Sequence, residues 1–216
     1  MVLQQYIEGI EAKQIAIQKF KHDYQNILLS INGFILTEDW EGLKQYMLTV
    51  NTASNFLTED TPALENLCKI RPTEIKIFLS EKLITAKKTS KHISASFEAR
   101  GEVSHFPIDS VTLVRMLGII LDNAVEALAE LSRGHLAVIC HKVEEGVIIT
   151  IQNNCAKDMP TLNQLKQYGF STKGKGRGHG LNILADLVNT HPNVTLSTSI
   201  SEGIFAQMLV LWNTSL

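Results

Sequence analysis

The 216-residue sequence has little of what marks several large classes of protein. Its three cysteines, Cys68, Cys140 and Cys155, form no C-x-x-C pair, so neither a zinc site nor a disulfide framework is predicted. No run of about 20 apolar residues is present, and acidic residues interrupt the apolar start, so neither a membrane span nor a signal peptide is predicted. The net charge of −2, with both signs interspersed, gives no reason to expect a nucleic-acid partner.

What the sequence does have is 44% hydrophobic residues, enough for a buried core. In its first part, apolar residues recur at alternating spacings of three and four, interrupted only at Lys13: Leu3, Tyr6, Ile10, Ile17, Phe20, Tyr24, Ile27, Ile31 and Phe34. Such an a/d pattern over several heptads predicts a long helix that needs a partner. The pattern begins without a cap, which leads us to expect a piece of a longer protein.

A second helix is predicted directly after the first. The stretch LTEDWEGL offers Thr37 as the N-cap and Trp40 as the first helical residue, and apolar residues up to Leu57 keep the same rhythm. Two antiparallel helices joined by a short turn form an α helical hairpin. Because one hairpin buries its apolar seam poorly, two copies are expected to form a homodimer through a four-helix bundle.

The polar segment from Leu57 to Pro62 predicts a boundary between a hairpin domain at residues 1–58 and a second domain at residues 63–216. In the second domain the patterns predict an irregular helix over 63–88, a strand over 92–99, a helix from Pro107 capped by Asp109 or Ser110, strands over 135–143 and 146–153, a helix over 181–189, and strands over 194–201 and 204–212 that pair across Glu202 and Gly203. Helices and largely antiparallel strands in this order indicate an α/β sandwich, with the helices on one face of a mixed sheet.

Three polar residues, His22, Asp23 and Asn26, stand close together in the first predicted helix. If Phe20 is d and Tyr24 is a, His22 occupies f, the position farthest from the seam, and Asn26 follows one turn later on the same face. A solvated helix face would show this pattern. An outward imidazole beside a carboxylate is also what a nucleophilic histidine requires, with Asp23 accepting a proton and Asn26 positioning the phosphoryl group or a water.

A glycine-rich stretch, STKGKGRGHGLNIL, precedes the helix that starts at Leu181. Its alternating glycines and its basic residues are Lys173, Gly174, Lys175, Gly176, Arg177, Gly178 and Gly180. Alternate glycines let backbone N–H groups approach a phosphate, and the N-terminus of the following helix adds positive charge. These features favour phosphate binding over a flexible basic linker. His179 is a candidate contact to phosphate or ribose, or else a solvated side chain.

Two further stretches carry polar residues next to apolar elements. LDNAVEAL places Asp122, Asn123 and Glu126 on one predicted helix, and oxygen ligands of this kind suit Mg²⁺, although a solvated acidic face would look the same. IQNNC, at the end of a predicted strand, contains Asn153, whose amide could read the edge of a base or simply form a turn.

Taken in order, these stretches resemble the boxes of a sensor histidine kinase. FKHDYQNIL is similar to the H-box of the peptide quorum-sensing kinases of Gram-positive bacteria, the Agr-type and Com-type receptors, in which His-Asp-x-x-Asn is characteristic. ILDNAVEAL resembles the N-box, and STKGKGRGHGLNIL resembles the ATP lid and second glycine box of the gyrase, Hsp90 and histidine-kinase ATPases. The resemblance extends from about Gln4 to Trp212.

This resemblance implies a dimerisation and phosphotransfer hairpin at residues 1–58 and a catalytic ATP-binding domain of the gyrase/Hsp90/histidine-kinase type at residues 63–216. It implies that His22 takes a phosphoryl group from ATP, with Asp23 and Asn26 assisting, and passes it to an aspartate of a response regulator receiver domain. Asn123 would hold Mg²⁺ against the ATP phosphates, which would be wrapped by Lys173, Gly176, Arg177, Gly178 and Gly180.

In this family a membrane sensor domain precedes the H-box. The resemblance therefore implies the cytoplasmic part of a kinase located in the cell membrane and acting in a two-component quorum-sensing system. One box departs from the family pattern, because Asn153 stands where most members have an aspartate that reads the adenine amino group. An amide can still accept from that group, but it gives up the charge-assisted hydrogen bond.

Two other functions stay open at this point. A dimeric scaffold that binds nucleotide as a switch would bind ATP without forming phosphohistidine. An ATPase of the same fold with a different function would keep its ATP turnover when His22 is replaced.

Overall fold

The computed structural model of the chain describes residues 14, 15, 18, 21, 22, 25–50, 62–89, 92–156 and 180–213. Clustering of contacts divides the chain into two compact units, Met1–Leu57 and Thr58–Leu216. Among the described residues, no helix combines the length and the apolar character that crossing a bilayer requires.

The first unit contains two helices joined by a short turn. Residues 25–36 belong to helix α1, as do the described residues that precede them, and helix α2 runs over Trp40–Val50. Glu38 has a φ of 54° in the turn, and the rings of Phe34 and Tyr46 meet across it with centroids 5.5 Å apart. This contact places the end of α1 against α2. The dimeric four-helix bundle stays a prediction.

The cap of α2 differs from the prediction. Asp39 is the N-cap, since its Oδ1 accepts from the backbone N–H of Gly42 at 2.8 Å and its carbonyl accepts from Leu43 N at 3.0 Å. Thr37 was therefore the wrong choice. Its hydroxyl donates to the carbonyl oxygen of Gly33 at 3.0 Å, so this residue completes the last turn of α1 rather than starting α2.

The second unit is built on a five-stranded sheet with the order β1-β2-β3-β5-β4. The strands are β1 Ile93–Arg100, β2 Gly134–Val143, β3 Gly146–Asn154, β4 Val194–Ser201 and β5 Ile204–Trp212. β1 pairs with β2 in parallel, and all other neighbours are antiparallel, which confirms the predicted mixed sheet. Glu202 and Gly203 both have positive φ, as a tight two-residue hairpin turn between right-twisted strands requires.

Helices cover one face of this sheet. They are a 3₁₀ helix at Pro62–Lys69, α3 at Thr73–Thr89, α4 at Ser110–Ala129 and α5 at Gly180–Asn189. Asp109 caps α4, as predicted, by accepting from Thr112 N at 2.9 Å. The buried residues of α4 recur every three or four positions and pack against alternate residues of β2 and β3, so α4 lies at the centre of the core.

Candidate functional site

His22 and Asn26 form a polar pair on the exposed surface of α1. The side-chain nitrogen Nδ2 of Asn26 lies 3.3 Å from Nδ1 of His22, one helical turn away. An amide has both a donor and an acceptor end, so Asn26 can hold either tautomer of the ring. The contact engages Nδ1 and fixes the ring through this nitrogen. Asp23, the third residue of the predicted constellation, lies outside the described residues.

Asn123 lies where α4 meets the first turn of α5. A Cβ built on Gly180 would stand 3.8 Å from Oδ1 of Asn123 and 3.3 Å from Cγ2 of Ile119, so the start of α5 approaches α4 closely. The side-chain nitrogens of Asn123 and of Asn182, in the same first turn, are buried and have no hydrogen-bond partner among the described residues. Unpartnered buried amides are uncommon in folded proteins and indicate a position where a ligand supplies the partner.

The two acidic neighbours of Asn123 face other surroundings. Asp122 accepts from Nζ of Lys82 on α3 at 2.6 Å, so this carboxylate is directed to α3. Glu126 is exposed on α4. Within the described residues, no three His, Cys, Asp or Glu side chains are grouped so that they could hold a metal ion. Of the predicted oxygen ligands, Asn123 is the one that the structure places beside α5.

Asn153 lies at the end of β3 and is buried. Its Nδ2 donates to the carbonyl oxygen of Asn154 at 2.8 Å, and this partner can only accept, so the orientation of the amide is fixed. Asn154 holds the neighbouring strand through its own Oδ1, which accepts from the backbone N–H of His135 at 2.8 Å. Cys155 N donates to the carbonyl oxygen of Gly203 at 2.8 Å, which ties the end of β3 to the β4–β5 turn.

A second buried amide, Gln207 on β5, did not figure in the sequence analysis. It faces the helices together with Phe205, Leu209 and Leu211, and its Oε1 has no partner among the described residues. The sequence did contain a signal that this glutamine is buried. In IFAQMLVLW it stands an even number of positions from the inward apolar residues, so its side chain lies on the same face of the strand.

The remaining predicted phosphate-binding residues lie outside the described residues: Lys173, Gly174, Gly176, Arg177, Gly178 and His179. Gly180 and Leu181 are described and form the first turn of α5. The N-terminus of this helix, with Asn123 beside it, therefore makes up the described part of the predicted site.

The thiols of Cys140, which is buried, and of Cys155, which is half-buried, do not offer an alternative nucleophile. Burial raises the pKa of Cys140 to about 12 and raises the pKa of Cys155 above its ordinary value, so both are protonated at neutral pH. His22, by contrast, is exposed on α1.

Comparison with known proteins finds similar sequences and structures. Residues 108–211, which include α4, α5 and four of the five strands, match the family model described as a GHKL domain. The sensor histidine kinases DcuS of Escherichia coli K12 and of Shigella flexneri are each 26% identical to this chain over 209 residues, 96% of its length. The chain spans 37% of the length of these curated relatives.

Solved structures show the same fold at lower identity. The catalytic domain of the histidine kinase ThkA matches with a TM-score of 0.54 and 19% identity, over 65% of this chain and 93% of that domain. A solved chain of the Acinetobacter baumannii histidine kinase AdeS matches with a TM-score of 0.50 and 13% identity, over 90% of this chain and 98% of that chain. The two-layer α/β fold of the second unit is thus of the GHKL ATPase type.

Proposed function

We propose that this chain is the catalytic portion of an ATP-dependent protein-histidine kinase. The proposal is supported by the match of residues 108–211 to the GHKL domain model and by the similarity of the chain to the sensor histidine kinase DcuS. One observation supports the proposal independently of the similarity to known proteins. The same chain presents an exposed histidine, His22, on a helix where the core does not require it, in contact with Asn26. In this proposal the second unit binds the nucleotide, and His22 is the nucleophile.

The residues around Asn123 fit a magnesium–nucleotide complex. Mg²⁺ prefers oxygen ligands and often takes only one or two from the protein, the others coming from phosphates and waters, which agrees with a single amide beside α5. The buried, unpartnered nitrogens of Asn123 and Asn182 would gain partners from the ligand. When bound, Mg²⁺ would neutralise phosphate charge. In our proposal Asn123 holds it, and the N-terminus of α5, with Gly180 and Leu181, binds phosphate oxygens.

In the phosphotransfer step, His22 attacks the γ-phosphorus through Nε2 while Nδ1 keeps its proton. In the structure Nδ2 of Asn26 faces Nδ1 of His22, and a 180° turn of the amide would bring Oδ1 to accept from Nδ1–H and hold that tautomer. A P–N bond forms, the bond from phosphorus to the bridging oxygen breaks, and ADP leaves with the electron pair. Asp23 accepts the proton of the resulting imidazolium. The catalysis required is mainly positioning and charge neutralisation.

The finer parts of the proposal rest on the resemblance. The phosphoryl group would pass from His22 to an aspartate of a response regulator receiver domain, and two copies of the chain would pair through α1 and α2. The His-Asp-x-x-Asn pattern favours the peptide quorum-sensing branch. A membrane sensor domain would precede this portion in the full-length protein. In this proposal the portion described here lies in the cytoplasm.

The direct test is incubation with γ-labelled ATP and Mg²⁺, followed by analysis of acid-labile, alkali-stable label. We expect label in the wild type, none in His22→Ala with ATP binding kept, and none in Asn123→Ala with ATP binding weakened. His141→Ala, an exposed histidine on β2, is the matched control and should label normally. Label that persists in His22→Ala would overturn the assignment of the phosphoacceptor.

A second candidate, a nucleotide-binding dimeric scaffold, is favoured by one observation. Asn153 replaces the carboxylate expected at the end of β3, which weakens the hydrogen bond to an adenine amino group. In that case the wild type would bind ATP and form no phosphohistidine at any time of incubation.

A further inference from the structure

Two polar side chains stand out in the core of the second unit. In the part of the chain that the structure describes, Asn153 at 3% exposure and Gln207 at 2% are the buried residues with polar side chains. They lie on adjacent strands, β3 and β5, and both face the helices. Asn153 pairs with Phe205 and Gln207 pairs with Ile151, so the two amides are diagonal neighbours, roughly 7–8 Å apart in a regular antiparallel ladder.

The side-chain nitrogens of both amides donate hydrogen bonds within the protein. Nδ2 of Asn153 donates to Asn154 O at 2.8 Å, and Nε2 of Gln207 donates to the hydroxyl of Thr198 at 3.5 Å. Oε1 of Gln207 is buried and has no partner among the described residues. The face of the sheet near the end of β3 therefore carries two amide carbonyl groups in apolar surroundings. A buried acceptor without a donor is destabilising, so its presence calls for a ligand that donates.

Adenine has a suitable donor. Its exocyclic amino group carries two N–H bonds on a flat apolar ring, so it can donate to two acceptors at once. The surroundings suit such a ring, since Ile151, Phe205 and Leu209 lie on the same face. A purine with a carbonyl oxygen at this position would instead bring an acceptor towards two acceptors.

On the premise of the nucleotide site proposed above, we propose that Gln207 is a second base-reading residue. It accepts one N–H of the adenine amino group through Oε1 while Asn153 accepts the other through Oδ1. Two neutral amides would together do what one carboxylate does in the pattern from which Asn153 departs. Gln207 would thus determine the preference of the site for adenine over 6-oxopurines.

The test is calorimetric titration of the chain with Mg-ATP and with Mg-ITP, in which a carbonyl oxygen replaces the amino group. Gln207→Met keeps the length of the side chain and removes its polar atoms. We expect about a tenfold weaker affinity for ATP, equivalent to about 1.4 kcal/mol, with a smaller change for ITP, so that the ATP/ITP ratio falls. Gln207→Leu is a second variant if the methionine variant does not fold.

Two controls separate base reading from a structural role. Gln152→Met removes an amide from the opposite face of β3 and should leave both affinities unchanged. Thr198→Val breaks the Gln207–Thr198 hydrogen bond but keeps Oε1, so it should keep the ATP/ITP ratio. In thermal unfolding without nucleotide, Gln207→Met should melt no lower than the wild type, because the buried acceptor is gone.

The outcomes distinguish this inference from the function on which it rests. An unchanged ATP/ITP ratio in both Gln207 variants, with wild-type ATP binding intact, would overturn the role of Gln207 and leave the kinase proposal standing. The same holds if Gln207→Met and Thr198→Val lower the ratio equally, since that result indicates a structural pair. A wild type that binds no ATP would overturn the proposed function and the inference with it.

Discussion

The two units differ in how completely they cover their apolar residues. In Thr58–Leu216 the inward side chains of α4 and of the central strands are almost entirely buried. In Met1–Leu57, by contrast, Leu28, Leu36 and Trp40 on α1 and α2 are exposed. Because burial of apolar surface is the main favourable term in folding, the second unit contains its own source of stability, whereas the exposed apolar residues of α1 and α2 are available to contact another surface.

The largest expected effect comes from truncating matched leucines in the two units. Leu117 on α4 is fully buried, so Leu117→Ala should destabilise the second unit by about 2–5 kcal/mol. Leu36→Ala, at a residue that is 78% exposed, should change stability by less than about 0.5 kcal/mol. Urea unfolding can be followed for each unit separately in the Trp40→Phe and Trp212→Phe backgrounds, because Trp40 and Trp212 are the two tryptophans and one lies in each unit. Equal losses would show that the contrast does not hold in solution.

An intermediate effect is expected on self-association. Leu28 and Ile35 are seven residues apart on one side of α1, next to the seam residue Ile31. Leu28→Asp would bury a charge in the proposed dimer interface and should raise the dimer dissociation constant at least about tenfold, measured by light scattering on a sizing column. Leu29→Asp is the control, because residue 29 lies about 100° further round the helix. A wild type that is monomeric at all concentrations would remove the dimer from the proposal.

The smallest effect is the acid sensitivity of the second unit. Hydrogen bonds to Arg71 and Thr112 lower the pKa values of Glu102 and Asp109, respectively, below their ordinary values of 4.5 and 3.8. Lowered carboxyl pKa values stabilise the fold above these ordinary values, and the stabilisation disappears as the pH falls through the folded-state values. The urea midpoint reported by Trp212 should therefore fall between about pH 5 and pH 2, and the Glu102→Gln variant should show a shallower decline.

Both carboxylates are exposed, so added salt should reduce the difference between this variant and the wild type. A midpoint difference that does not depend on pH would contradict the assignment of the effect to the Arg71–Glu102 pair.

Elements with strong local patterns could be predicted from the sequence. β1 and β4 alternate in sequence, β3 and β5 are apolar runs next to turn signals, and α4 shows both its apolar stripe and its cap, Asp109, so the existence and order of these elements followed from local chemistry. Thr37 was assigned wrongly, because two good capping residues stand two positions apart and the left-handed conformation of Glu38 decides between them. That choice depends on where the chain reverses, which is a property of packing.

The candidate site was only partly accessible to sequence reasoning. His22 and Asn123 could be named from spacing and resemblance. The close approach of Gly180 to Asn123 could not, because it arises where two helices distant in sequence pack together. Gln207 was missed for another reason. A glutamine in an apolar strand is read as a minor interruption unless its phase is compared with that of the inward residues.

The parallel pairing of β1 with β2 has a consequence for how the molecule acquires its binding capacity. Ile93 pairs with Gly134, so the edge strand joins the sheet only across the whole of α4. Asn123 is on that crossover, and its neighbour Asp122 is held by Lys82 of α3. The sheet edge and Asn123, the proposed magnesium ligand, therefore belong to the same crossover, and we expect a change that disrupts the pairing of β1 with β2 to weaken nucleotide binding as well.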